Sequence, residues 1–72
     1  MASKPTQVQA TAQEVLPRFG LAYLVDDQQR IWGITKSTEG PGLERLHEGQ
    51  KVTLTVLHHP GFSLVRRYEP LN

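Results

Sequence analysis

One short segment carries three side chains that could bind single-stranded nucleic acid. Arg30-Ile-Trp-Gly-Ile-Thr-Lys36 alternates in a way that predicts a strand, with Arg30, Trp32 and Lys36 projecting to the same side. An exposed indole between cationic groups would let a base stack while the cations contact phosphate. The alternative interpretation is that Trp32 caps the core, because a lone large aromatic in a small domain is usually needed for packing.

Basic residues also occur in the C-terminal third of the chain. Arg66 and Arg67 are adjacent, so on a strand they point to opposite faces. One could reach phosphate beside Lys51, while the other would be exposed at the rim or paired with Glu69. Phosphate binding needs several converging charges, and a solvated strand end is an equally good interpretation of this cluster.

The histidines and glycines give no sign of a catalytic or metal site. His58 and His59 are neighbours that diverge on a strand, and His47 stands at no recognisable ligand spacing from them. These rings could instead stack on bases or respond to pH near neutrality. Gly40-Pro41-Gly42 lacks the lysine and length of a phosphate-binding loop, so it predicts a turn. We therefore expect no enzyme activity, no cofactor and no metal.

Size and composition limit the protein to one small domain. The 72 residues carry a net charge of +1, and there is no cysteine that could form a disulfide or a thiolate metal site. The N-terminal residues contain no signal-peptide pattern, and no apolar run is long enough to cross a bilayer. A cytoplasmic protein without membrane contact is the expectation.

Alternation and turn signals predict five strands and one short helix. Leu43 and Leu46 lie three residues apart, as on a short helix that could cover one end of a barrel. Residues 1–6 are expected to form a disordered tail, and residues 7–72 to form one domain. The predicted strands cover residues 7–13, 19–25, 30–36, 51–59 and 62–69.

Several positions have a specific expectation within these elements. Val52, Leu54 and Val56 should face inward, whereas Gly33 suggests a bulge or tight bend. Pro17 should end or bend the first element. A lone short helix between strands three and four of five is a common layout for oligonucleotide-binding (OB) barrels, so the predicted fold is all-β, a small five-stranded OB-type barrel.

From Gly20 to Leu71 the chain resembles the bacterial cold-shock and related oligonucleotide-binding domains. Gly20-Leu-Ala-Tyr-Leu-Val-Asp26 is similar to that family's first strand, and Arg30-Ile-Trp-Gly-Ile-Thr35 to its second-strand RNA-binding motif. Leu46-His-Glu-Gly-Gln-Lys-Val52 is the best match, and Val65-Arg-Arg-Tyr-Glu-Pro-Leu71 is similar to the closing strand. The resemblance implies a barrel that binds single-stranded RNA or DNA.

This chain departs from the family at the positions that stack bases. Ile31 and Gly33 stand at the positions where the family's second strand usually has phenylalanines. Leu24, beside Tyr23, stands where the family's first strand has an aromatic residue. The third-strand aromatic-histidine motif has no counterpart, and the segment 7–16 could supply the strand thus lost.

Two functions follow as hypotheses. The first is cold-shock-like binding of single-stranded RNA or DNA with low sequence specificity, with regulation as one use. The second is a protein-interaction or oligomerisation module without a nucleic-acid role, in which exposed Leu24, Trp32 and Leu57 meet a protein partner or a second copy. The predicted nucleic-acid site consists of Tyr23, Arg30, Trp32, Lys36, Lys51, Phe62 and Arg66.

Overall fold

The protein is built from five antiparallel strands, as the sequence pattern predicts. A computed structural model describes residues 4–71. Runs of β-branched and alternating residues form the strands, and breakers such as Pro60-Gly61 separate them. The strands are β1 (Thr6–Leu16), β2 (Leu21–Asp26), β3 (Ile31–Thr35), β4 (Lys51–His59) and β5 (Phe62–Pro70).

The strands form one sheet that rolls into a nearly closed barrel. Their order across the sheet is β3-β2-β1-β4-β5, so β4 returns to lie beside β1 in a Greek-key arrangement. The two outer strands approach each other at the loop after β3. There the amide of Tyr68 donates to the carbonyl of Glu39 at 3.0 Å, and the Glu39 carboxylate pairs with the Arg67 guanidinium at 2.8 Å.

The core lies on one face of the rolled sheet. Val52, Leu54 and Val56 are fully buried, so their predicted inward orientation is confirmed. On β2, Ala22 and Leu24 face the core, whereas Tyr23 is on the outer wall. The buried apolar residues are Ala10, Ala12, Ala22, Leu24, Ile34, Leu43, Leu46, Val52, Leu54, Val56, Val65 and Tyr68.

The bulge predicted at Gly33 is wrong. Gly33 pairs in regular register with Tyr23, and the β2–β3 pairing has no irregularity. The register shifts instead between Ala12 and Glu14 in β1, and again where β5 pairs with Thr55 and Val56 of β4. Long strands that curl around a barrel need such bends, whereas a five-residue strand does not.

The connection between β3 and β4 covers one end of the barrel. The predicted helix is a single 3-10 turn, Leu43–Arg45, and Leu43 and Leu46 are buried as expected. The amide of Gly42 donates to the Tyr68 hydroxyl at 2.9 Å. A Cβ at Gly40 would overlap the Tyr68 ring, so only glycine fits this close approach.

The N-terminal segment changes how the family resemblance maps onto the fold. β1 is longer than predicted, and residues Pro17–Phe19 after it form a 3-10 turn, which confirms the bend at Pro17. The segments similar to the family's first and second strands are therefore the second and third strands here. Of the tail predicted over residues 1–6, Thr6 already belongs to β1, and residues 1–3 lie outside the described part. Within residues 4–71, no helix is long and apolar enough to cross a membrane.

Candidate nucleic-acid interface

The turn between β2 and β3 is organised by a buried carboxylate. Asp26 Oδ1 accepts from the amides of Gln28 and Arg30 at 2.8 and 2.9 Å. Its Oδ2 accepts from Arg30 Nε at 2.9 Å and from Trp32 Nε1 at 3.0 Å. All the donors point at one side chain, which lets a charged group remain in the interior.

These hydrogen bonds keep Asp26 ionised. Burial alone would raise the pKa of Asp26, because the charged form loses its hydration. The hydrogen bonds from Trp32, from the amides of Arg30 and Gln28, and from the Arg30 guanidinium outweigh burial and lower the pKa to about 2. The turn is thus held by a permanent negative charge at neutral pH.

Trp32 is part of this turn rather than a platform on the outer wall. It pairs with Leu24 on the inner face and packs, half-buried, against the core. The Arg30 guanidinium lies 5.7 Å from its ring centroid and is tied to Asp26. The alternative interpretation, in which Trp32 caps the core, describes this geometry, and an exposed indole between Arg30 and Lys36 does not.

The other predicted site residues are spread over the barrel. Tyr23 is exposed on the outer face of β2, where Glu14, Glu48 and Ile31 line the same shallow depression. Lys51 is exposed on β4 opposite Thr11. The structure does not bring all seven predicted residues onto one face. It distributes them among the outer wall of β2, the β2–β3 turn, the turn after β1, the start of β4 and the β4–β5 hairpin.

The turn after β1 presents an exposed aromatic ring beside cations. Phe19 is 75% exposed, and Arg18 next to it is exposed as well. Lys36 joins them, because its amide donates to the Gly20 carbonyl at 2.9 Å and its side chain lies against Gly20. Of this group only Lys36 is among the predicted site residues. The signal for Phe19 was its place two residues after Pro17, where the chain turns and no strand neighbour can cover the ring.

The β4–β5 hairpin carries a second exposed aromatic group. Phe62 is 59% exposed and stacks on His59, with ring centroids 4.8 Å apart and planes inclined by 19°. His58 Nδ1 and Ser63 Oγ are 2.8 Å apart across the same hairpin. β1 pairs with β4 only as far as Val56, so the tip of the hairpin extends past the rest of the sheet.

The cations near these aromatic groups differ from those used to hold the fold. Arg30 and Arg67 form ion pairs with Asp26 and with Glu39 and Glu69. Among residues 4–71, no ion pair engages Lys51, Arg66 or the two cations beside Phe19, which are Arg18 and Lys36. The same residues contain no cluster of His, Asp and Glu placed to hold a metal ion.

Comparison of the chain with protein-family models, with curated proteins and with solved structures gave no match. The class of protein is therefore defined by its architecture, a small five-stranded antiparallel β-barrel. Inference about its function depends on which side chains the barrel leaves exposed.

Proposed function

We propose that the protein binds single-stranded RNA or DNA with low sequence specificity. One observation carries the proposal: both phenylalanines of the chain are exposed and not buried in the core, Phe19 in the turn after β1 and Phe62 at the start of β5. A domain of this size has little apolar surface to spare for its core. Leaving its two most apolar aromatic rings in solvent is a cost that a binding role explains.

The positions of the two rings support the same proposal. The five-stranded Greek-key barrel has a short helical turn between β3 and β4, which is similar to the layout of OB barrels. Such barrels bind oligonucleotides through strands two and three and through the loops that follow strands one and four. Phe19 lies in the first of these loops, and Phe62 directly follows the second.

The chemistry of the two groups suits a flexible strand of nucleotides. Phe19 and the Phe62–His59 pair offer flat rings on which any base can stack, at about 1–3 kcal/mol per base. Arg18, Lys36 and Arg66 supply charge for the phosphates. Stacking and phosphate contacts read no base edges, so binding should be tolerant of sequence and sensitive to salt.

The direct test is fluorescence anisotropy of a labelled oligonucleotide of about 12 nucleotides, within the range of OB-barrel site sizes of about 4–16. Phe19→Ala and Phe62→Ala should each weaken binding by about fivefold to a hundredfold while the thermal unfolding midpoint stays nearly constant. Leu71→Ala is the matched control, because Leu71 is also exposed but lies outside both loops.

The salt dependence of binding and the Leu71→Ala control provide the outcomes that would contradict the proposal. Raising salt from about 50 to 200 mM should weaken binding, since the phosphate contacts release counterions. Absence of binding at low salt, or equal loss with Leu71→Ala and with the two phenylalanine variants, contradicts the proposal.

A protein-interaction role is the second candidate, and one observation favours it. The depression lined by Tyr23 and Ile31 also contains Glu14 and Glu48, which would repel phosphate but not a protein partner. Leu24 cannot take part as predicted, because it is fully buried on the inner face of β2. Leu57 and Trp32 are only half-exposed.

A further inference from the structure

The outer edge of β3 has backbone groups that are left without a partner. Lys36 donates to the Gly20 carbonyl and Asp26 to the Arg30 carbonyl, which sets the hydrogen-bonded pairs between β2 and β3. By strict alternation, the N–H and C=O groups of Ile31, Gly33 and Thr35 point away from β2. The Thr35 carbonyl accepts from the Thr38 amide, and the Thr35 amide donates to the Thr38 hydroxyl, both at 3.0 Å.

The groups of Ile31 and Gly33 remain open. Within residues 4–71, no hydrogen bond to another element satisfies them, and the only bridge between the two sides of the barrel lies further along, at Glu39 and Arg67. Natural sheets protect such edges with charged side chains, proline or bulges. The sequence of β3, Ile31–Thr35, contains none of these.

The side chains along this edge would fit those of a second copy of the same edge. Ile31 is 58% exposed. Gly33 lies on the same face, and a Cβ atom added to it would have no other atom within 4 Å. Gly33 thus leaves a notch next to Tyr23, its partner on β2, which is 40% exposed. An isoleucine from an added strand would fill the notch and contact the tyrosine ring.

We infer that β3 pairs with β3 of a second copy of this chain, antiparallel and about a two-fold axis at Trp32. In this register Ile31 of each copy faces Gly33 of the other, and the four open backbone groups of each edge meet the four of its partner. Each Ile31 side chain covers the other copy's Gly33. A shift of one residue would lose both features, so the register is specified.

Charge at the ends of the paired strands favours the same arrangement. The register brings the Lys36 end of β3 in one copy towards the β2–β3 turn of the other, which carries the exposed Asp27. This contact occurs twice by symmetry. The paired surface is small compared with stable interfaces, so the dissociation constant should be on the order of 100 μM.

The test is sedimentation velocity from about 10 μM to about 1 mM, a range that brackets this affinity. Wild type should shift from monomer to dimer over this range. Ile31→Lys, which puts a charge on an exposed edge position, should raise the dissociation constant about tenfold or more. Leu64→Lys is the matched control, because Leu64 is similarly exposed but lies on the β4–β5 hairpin.

Gly33→Val separates pairing from folding. The monomer has room for the added side chain, so the variant should fold at least as well as wild type, yet its side chain occupies the notch that Ile31 of the second copy needs. Amide exchange gives a direct measure of the backbone pairing. The Ile31 and Gly33 amides should become protected only as concentration rises.

Two results would overturn the inference. One is a monomer throughout the concentration range. The other is a dimer weakened by Leu64→Lys but not by Ile31→Lys or Gly33→Val. Phe19→Ala and Phe62→Ala should leave self-association unchanged, so failure of this inference and failure of nucleic-acid binding are distinguishable.

Discussion

The turn between β2 and β3 and the turn between β4 and β5 treat their aromatic residues in opposite ways. At the first, the Trp32 indole donates to the buried Asp26 carboxylate and packs on the core. At the second, Phe62 has no polar atom to fix it and lies in solvent against His59. The difference between the two turns is the buried acceptor: the ring that reaches it is held against the core, and the ring without one stays exposed.

The two turns also differ in how they accommodate a left-handed backbone. Gln29 has a φ of 65°, a backbone conformation that residues other than glycine rarely adopt, whereas the other turn has Gly61 with a φ of 88°. The hydrogen bonds to Asp26 on either side of Gln29 hold the unfavourable conformation in place. The β4–β5 turn has no such network and uses glycine instead.

The most severe test of this comparison is Asp26→Asn. An amide cannot accept all four hydrogen bonds, and its NH₂ group would face the donors of Arg30 and Trp32. We expect the largest loss of stability of any variant described here, measured by urea unfolding at pH 7. Asp27→Asn, at the exposed neighbouring position, is the control and should unfold almost like wild type.

Acid should reproduce part of the same loss in the wild-type protein. The pKa of Asp26 is lowered in the folded state from 3.8 to about 2, so its stabilising effect is fully present above pH 4. It should be lost as the pH falls through 3.8 towards 2. The Asp26→Asn variant should lack this component of the acid dependence. An identical decline in both proteins between pH 4 and pH 2 would contradict a central role for Asp26.

Truncating the two aromatic residues compares the turns directly. Trp32→Ala removes a half-buried ring that packs on the core and should cost about 3 kcal/mol. Phe62→Ala removes an exposed ring and should cost about 0.5 kcal/mol. Both values come from chemical unfolding, and similar losses for the two variants would show that the turns do not differ as described.

Effects smaller than that of Trp32→Ala are expected at the positive-φ positions of these two turns, Gln29 and Gly61. Gln29→Gly should stabilise the protein by about 0.5–1 kcal/mol, because glycine adopts this conformation without strain. Gly61→Ala should destabilise it by about 1 kcal/mol for the converse reason. If Gln29→Gly instead destabilises, Gln29 makes a contribution beyond its backbone conformation. Thermal unfolding of both variants at the same pH provides the measurement.

Much of the fold could be predicted from the sequence because the strands alternate clearly and are separated by strong breakers. Residues 51–59 and the turn at Pro60-Gly61 match the prediction, and Leu43 and Leu46 cover the barrel as expected. The end of β1 was harder to predict, because the bulge near Gln13 breaks the alternation that defines a strand.

The candidate site was less predictable, since exposure depends on contacts between distant elements. The alternation of residues 30–36 places Arg30, Trp32 and Lys36 on one face, but it cannot show that this face turns inward. The buried role of Asp26 was also hidden, because two adjacent aspartates before two glutamines look like an ordinary polar turn. Phe19 was assigned to a strand, although it lies in the 3-10 turn before β2.

The hydrogen bond between the Gly42 amide and the Tyr68 hydroxyl has a consequence for how the chain folds. Its partners are 26 residues apart, whereas the two tight hairpins join residues close in sequence. Contacts that close long loops carry a larger entropic cost and tend to form late. This hydrogen bond and the β1–β4 pairing, which joins residues as far apart as Thr6 and Val56, should therefore form after the two hairpins. The short-lived species with separate hairpins and Tyr68 still in water is the one most prone to aggregate.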